Sequence, residues 1–159
     1  MRNVLLTLLL TLSINSAHAE TITIGKIAPF GENSGVSKNV QSECKLETRI
    51  PEYIVKATKK DASIVITSES LDKVDGPVMF VTIAYVHAPG GGNWSGGKRI
   101  RVDLELKEDG EILDATSLQR SSRTGLGTCA ILKKITRVLG EDIVAWLQQA
   151  RQRPSTDSS

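Results

Sequence analysis

The sequence is poor in the residue types from which most catalytic and metal sites are built. Its 159 residues include two histidines and two cysteines, and aromatic side chains make up only 4%. His18 lies in a segment that we expect to be removed, which leaves His87 as the single histidine of the remaining chain. Zinc sites need clustered histidine or cysteine ligands, and serine or cysteine hydrolases need a histidine base. We therefore predict no metal, no cofactor and no enzymatic activity; a hydrolase built on His87 is the catalytic alternative.

The sequence also lacks an excess of charge and a long apolar run. Twenty lysines and arginines stand against 18 aspartates and glutamates, a formal net charge of +2, and the basic residues are dispersed. Surfaces that bind nucleic acid concentrate positive charge, so we predict no nucleic-acid partner. A membrane-spanning helix needs roughly 20 apolar residues, so we predict no stable membrane insertion.

The start of the chain has the pattern of an export signal. Arg2 supplies a positive charge, residues 4–14 are almost all apolar, and Ala17 and Ala19 give the small-x-small pattern that signal peptidases cleave. We expect cleavage after Ala19 and release into the periplasm. The domain plan is then a signal peptide over residues 1–19, one domain over residues 20–150 and a disordered tail over residues 151–159.

Both cysteines, Cys44 and Cys129, fall in the part that we expect to be exported, where oxidising conditions favour a disulfide. A bond that closes so long a loop stabilises a fold by about 4 to 5 kcal/mol in the chain-entropy account. The alternatives are two buried free thiols or a redox-active pair, although a redox pair would lack the CxxC spacing that lowers a thiolate pKa. We favour a structural disulfide.

The spacing of apolar residues predicts five strands and two helices. We expect strands at residues 21–28, 63–68, 78–86, 99–107 and from 111 onward. Residues 29–39 are expected to form a loop. Apolar residues three and four apart predict a helix from Thr48 to Lys60 and a longer one with Thr128 as its N-cap. The predicted class is α+β in the order β-α-β-β-β-β-α, a mixed or antiparallel sheet of four to five strands with both helices on one face.

Finer expectations concern the way these elements pack. Pro51 requires the first turn of its helix or a kink, and Gly140 indicates a close neighbour or a bend. Residues 99–107 alternate between apolar and charged side chains, which is typical of a strand with one buried face. Asp109-Gly110 predicts a two-residue hairpin turn. With that turn Leu106 lies opposite Leu113, and the apolar face continues onto the last strand.

The glycine-rich connection before residue 99 carries the candidate contact residues. Gly92 to Lys98 match the start of a phosphate-binding loop, but Arg99 stands where a serine or threonine would hold magnesium, and a strand follows instead of a helix. We therefore assign no nucleotide site. Trp94, a large ring among glycines, is typical of a partner contact, or it folds back over one end of the sheet. Asn93, Trp94 and Lys98 are the predicted partner-contact residues.

Several motifs together resemble an uncharacterised family of small exported proteins of Gram-negative bacteria. The motifs are Gly90–Lys98, Arg120–Ser122, Cys129–Leu132, Leu139–Ile143 and Trp146-Leu147. The resemblance implies an exported α+β protein and carries no established activity. The element order is also similar to that of small envelope domains that act as accessory or assembly factors, a likeness of fold that does not fix function.

The leading hypothesis is a soluble, non-catalytic periplasmic protein that binds or assists another component of the cell envelope, most simply an envelope protein. Its expected contact surface is the connection that carries Trp94. The alternative is a periplasmic protein that binds or senses a small molecule between the sheet and the helices, in a pocket that includes Tyr85 and His87.

Overall fold

The structure is a computed structural model that describes residues 21–58, 63–89 and 96–152. The elements in chain order are β1 (Ile22–Gly25), α1 (Lys38–Cys44), α2 (Leu46–Ala57), β2 (Ile64–Thr67), β3 (Val78–His87), β4 (Lys98–Glu108), β5 (Glu111–Ser122) and α3 (Thr128–Gln152). A 3₁₀ turn (Leu71–Lys73) lies between β2 and β3. The predicted leader and most of the predicted tail lie outside the described residues.

The five strands form one mixed sheet in the order β2-β1-β3-β4-β5. β1 runs parallel to β2 and to β3, whereas β3, β4 and β5 form an antiparallel meander. The predicted α+β class and the mixed sheet are confirmed, whereas the element order differs in detail from the prediction. The described residues contain three α-helices where the sequence predicted two.

The helix predicted from Thr48 to Lys60 is present as α2, and a further helix, α1, precedes it. α1 begins after Ser37, whose hydroxyl accepts a hydrogen bond from the Val40 N–H at 3.4 Å. Lys45 then adopts a left-handed conformation with φ 51°, which ends α1 at Cys44 and starts α2 in a new direction. The predicted helix is thus confirmed as α2, whereas the loop predicted over residues 29–39 is wrong at its end, because α1 begins at Lys38. α1 buries only Val40 and Cys44, too few apolar residues to give a helical period.

The proline of α2 is accommodated by a hydrogen bond from outside the helix. Pro51 is the sixth residue of α2, not part of the first turn as expected. Because proline has no N–H, the carbonyl four residues earlier, that of Glu47, loses its helical donor. The backbone N–H of Ala28 donates to that carbonyl at 2.9 Å. The connection after β1 therefore supplies the missing bond and ties α2 to the sheet.

The disulfide links the first and last helices of the fold. Cys44, the last residue of α1, is bonded to Cys129, the second residue of α3. Their Cα atoms are 4.9 Å apart, and 85 residues separate them in sequence. The predicted structural disulfide is confirmed. Cys44 is 1% exposed, so the bond packs into the hydrophobic core.

α3 packs closely against α2. It begins with Thr128, which is therefore the first helical residue and not the N-cap that the sequence predicted. A Cβ atom on Gly140 would lie 2.8 Å from the carbonyl carbon and oxygen of Tyr53 in α2, so the glycine allows the two backbones to approach. The close neighbour expected at Gly140 is therefore present. The predicted apolar stripe is buried except for its partly buried end members Cys129 and Ala150, and four further buried residues join it: Ile131, Thr136, Gly140 and Val144.

The segment predicted as a loop after β1 completes one side of β3. Of the residues of β3, only Val78 and Met79 at its start pair with β1. Further along, the Ile83 N–H donates to the Pro29 carbonyl at 2.8 Å, and the Val86 N–H donates to the Ser34 carbonyl at 2.7 Å. Backbone outside the strands therefore supplies hydrogen-bond partners to β3 beyond its pairing with β1. The outermost strands of the sheet are β2 and β5.

The β4–β5 hairpin contains a bulge that changes the predicted register. Asp109 and Gly110 form the turn, with φ 50° and 84°, as their sequence predicted. The register then shifts by one residue, so that Leu106 lies opposite Asp114 and not opposite Leu113. The predicted pairing is wrong because one extra residue in β5 moves every later side chain to the other face. β5 consequently presents mostly polar side chains on both faces.

Candidate functional site: the outer face of the sheet

The described helices pack against one face of the sheet, and we call the opposite face the outer face. The register of β3, β4 and β5 arranges its side chains in rows across the three strands. These rows are Phe80, Glu105 and Ala115; Thr82, Asp103 and Ser117; Tyr85, Arg101 and Gln119; and His87, Arg99 and Ser121. Every β4 member alternates with a buried apolar residue, as the sequence predicted.

The acidic side chains of the outer face are already engaged within the chain. A Glu105 carboxylate oxygen lies 2.8 Å from Lys107 Nζ, and the same ammonium lies 4.6 Å from the centre of the Phe80 ring. The Ser117 hydroxyl donates to Asp103 Oδ1 at 2.7 Å. Lys107 therefore balances the charge of Glu105, and Ser117 holds the Asp103 carboxylate in place.

The basic side chains at one end of the outer face are not neutralised in this way. Arg99 and Arg101 are exposed, and neither has an ion-pair partner among residues 21–58, 63–89 and 96–152. They lie two residues apart on the same face of β4, about 7 Å from each other. Arg123 lies beside this end of β4, since a Cβ on Gly97 would be 3.3 Å from its Cγ. We call Arg99, Arg101 and Arg123 the arginine end.

Of the three predicted contact residues, the structure describes only Lys98. Asn93 and Trp94 lie outside the described residues. Lys98 is 0% exposed, and its Nζ donates to the Pro89 carbonyl at 2.6 Å, so the ammonium is not presented to a partner. β4 alternation explains this placement, because Lys98 is two residues before the buried Ile100 and shares its face. That parity was readable in the sequence and was missed.

The arginine end nevertheless lies where the predicted contact loop is attached. β3 ends at His87 and β4 begins at Lys98 on this side of the sheet, so the connection that carries Trp94 starts and finishes here. Sequence alternation placed Arg99 and Arg101 on one face. It did not reveal that the neighbouring acids would be paired and the arginines left without such partners.

The pocket expected between the sheet and the helices is not where Tyr85 and His87 lie. Both residues are on the outer face, opposite Arg101 and Arg99, because a bulge after Ile83 shifts the end of β3. A cavity of about 20 Å³, large enough for a water molecule, lies far from them near Thr58. A larger open groove of about 280 Å³ is lined by residues that include Phe80. Neither cavity is lined by Tyr85 or His87.

An ion pair joins the edge strand β5 to α3. Arg120 Nε donates to Asp142 Oδ2 at 2.6 Å, and Arg120 Nη2 donates to Asp142 Oδ1 at 2.8 Å. The hydrogen bond and the negative charge of Asp142 raise the pKa of the Arg120 guanidinium above its ordinary value. The arginine side chain is half exposed, so solvent weakens the pair.

Residues 21–58, 63–89 and 96–152 contain neither a cluster of metal ligands nor a membrane-spanning helix. No group of three or more histidine, cysteine, aspartate or glutamate residues there is arranged to hold a metal ion. Of the helices described, none combines the length and apolar character that crossing a bilayer requires.

Comparison with known proteins shows a shared fold. No family model and no curated protein matches the chain. A PelC variant dodecamer from Paraburkholderia phytofirmans superposes with a TM-score of 0.54 at 15% identity, over 81% of this chain and 88% of that one. At such low identity the likeness concerns the fold alone.

Two other solved structures overlap less well. A DUF330 protein from Xanthomonas campestris gives a TM-score of 0.49 at 10% identity, over 83% of this chain and 86% of that one. A minor lipoprotein from Acinetobacter baumannii gives 0.43 at 13% identity, over 86% and 98%. Export of this chain stays a prediction.

Proposed function

We propose that this chain is an exported, non-catalytic protein of the cell envelope that binds another envelope component through the arginine end of its outer face. The observation that carries the proposal is the contrast in pairing on β4. Glu105 forms an ion pair with Lys107, whereas the exposed Arg99 and Arg101 have no ion-pair partner among the described residues. Exposed guanidinium groups on a firmly held strand suit a partner that presents carboxylates or phosphates.

The architecture supports a binding role at this position. β4 is central to the antiparallel part of the sheet, with β3 on one side and β5 on the other, so its side chains are held by two strands. Rigid elements position binding groups more accurately than loops. The connection that carries the predicted contact residues Asn93 and Trp94 leaves β3 and enters β4 at this same end of the sheet.

Export is supported by the leader pattern and by the disulfide. Structural disulfides persist in oxidising compartments such as the periplasm, and Cys44–Cys129 closes most of the fold. The shared fold is compatible with protein–protein contacts, since the PelC chain with this fold is a dodecamer.

The test compares two charge-reversed variants that have the same change in net charge. Arg99→Glu/Arg101→Glu alters the arginine end, whereas Lys38→Glu/Lys133→Glu alters exposed positions on α1 and α3. Each protein is used as bait in envelope extract, with wild type as reference, at low and at high salt. We expect the arginine variant to lose an envelope partner that wild type and the lysine variant retain, and we expect high salt to weaken that capture. Equal recovery by all three proteins would refute the proposal.

A further inference from the structure

β5 is a long strand at the outer edge of the sheet. It contains 12 residues and no lysine or proline, and it lies at one end of the sheet. Its outer-face side chains after the bulge are exposed and uncharged: Ala115, Ser117, Gln119 and Ser121. Natural proteins protect such edges with charged side chains, proline, short strands or bulges, because alternate backbone groups of an edge strand are free to pair. The bulge of β5 lies beside its turn, and residues 115–119 contain no charge, so the middle of the strand lacks these protections. The opposite edge, β2, has only four residues.

Exposed apolar side chains mark both ends of this strand. Ile112 and Leu113, beside the hairpin turn, are 58% and 55% exposed, and Leu126, just beyond the other end, is 84% exposed. Ten residues of strand span about 33 Å, so the two groups are too far apart to form one patch within a single copy. An antiparallel partner strand would bring the start of one β5 beside the end of the other.

We propose that two copies of this chain associate by antiparallel pairing of their β5 strands about a twofold axis at Ser117. In this register each Ser117 faces the partner's Ser117, and Asp114 faces the partner's Arg120. A shift of two residues in either direction would place Asp114 opposite an uncharged side chain. Opposite charges on directly facing residues stabilise a strand pair, whereas other registers forgo this contribution.

Arg120 has donors to spare for a second carboxylate. A guanidinium carries five N–H donors, and two of them bond to Asp142, so three remain. Asp114 and Arg120 both lie on the helix side of β5, opposite Leu106 and Ile100. The intermolecular pair therefore forms on the helix side, and it adds to the existing contact between β5 and α3.

The pairing joins two five-stranded sheets into one of ten strands. It goes beyond the binding role proposed above and does not depend on it, since Arg99 and Arg101 belong to β4 and stay exposed on the outer face. In this register Ile112 faces the partner's Ser122 and Leu113 faces the partner's Ser121, four to five residues before the exposed Leu126.

The first test measures the oligomeric state of the protein, expressed with its leader and recovered with the disulfide intact. Sedimentation velocity over a range of concentrations is compared for wild type, Ser117→Lys and Ser42→Lys. We expect a dimer for wild type and for Ser42→Lys, whose change lies on exposed α1. In Ser117→Lys two ammonium groups would meet at the twofold axis, so the dissociation constant should rise at least tenfold. A monomeric wild type, or unchanged association of Ser117→Lys, would overturn the proposal.

The second test reads the register directly and does not depend on a destabilising variant. In the proposed dimer Ser117→Cys faces its own copy at a distance that a disulfide can span, whereas Ala115→Cys faces the partner's Gln119. Under mild oxidation we expect a covalent dimer from Ser117→Cys and none from Ala115→Cys, with Cys44–Cys129 confirmed by peptide mapping. Cross-linking of Ala115→Cys alone, or failure of both variants, would contradict this register.

Discussion

Loss of the Cys44–Cys129 bond is the perturbation whose effect on stability follows most directly from the structure. The bond spans 85 residues, and the chain-entropy relation gives about 4.6 kcal/mol of stabilisation for a closed loop of that length at 25 °C. Domains of this kind have unfolding free energies of about 5 to 15 kcal/mol. The disulfide therefore supplies between about a third and nearly all of the stability of the fold.

The assay is urea unfolding of wild type and of Cys44→Ala/Cys129→Ala, followed by circular dichroism. Replacing both cysteines avoids a free thiol that would form other bonds. With a slope of about 2 kcal/mol per molar urea, the expected loss lowers the unfolding midpoint by about 2.3 M. Reduction of the wild-type protein should give a similar shift, and the reductant should leave the double variant unchanged. A midpoint that moves by less than about 0.5 M in both experiments would refute the entropic reasoning.

Three further predictions, the first with a control variant, concern a helix contact, an ion pair and a buried lysine, and the same unfolding assay tests them. Gly140→Ala should destabilise by about 1 to 3 kcal/mol, because overpacking against the neighbouring helix backbone exceeds the gain in helix propensity; Gly31→Ala, where a Cβ has ordinary contacts of 3.7 Å, should be nearly neutral. Asp142→Asn should cost up to about 1 kcal/mol and less at high salt. Because the pKa of Arg120 is raised, the guanidinium contribution should be constant from neutral to mildly alkaline pH and fall only in strong alkali. Lys98→Ala should cost about 2 kcal/mol or more, since it empties a buried site; an unchanged midpoint would show that this side chain is not packed as described.

The sequence was sufficient for those parts of the fold that depend on long, regular patterns. The alternation over residues 99–107 predicted β4 and its two faces, and the apolar stripe predicted α3. The export context and the count of two cysteines predicted the disulfide. Each of these signals is repeated over many residues or allows only one pairing, so local exceptions do not obscure it.

The parts that were missed depend on single residues or on contacts between distant segments. One bulged residue in β5 reversed the predicted faces of that strand. Pro51 was expected in the first turn because a proline further along a helix leaves a carbonyl without its donor. In the structure the N–H of Ala28, a residue distant in sequence, donates to that carbonyl, and the proline is accommodated inside α2. The candidate contact residue Lys98 was misjudged because a charged side chain was assumed to be exposed, against the parity of β4. The pairing of acids on the outer face likewise appears only after the strands are assembled.

The most direct test of the central claim, that the outer face binds an envelope component at its arginine end, is site-specific photo-crosslinking in living cells. A photoreactive residue replaces Gln119, which lies in the same row as Arg101, or Gln148, which is exposed on α3. We predict a crosslink from position 119 to an envelope partner, distinguishable by mass from a dimer of this chain, and none from position 148. A partner crosslinked only from position 148 would contradict the account.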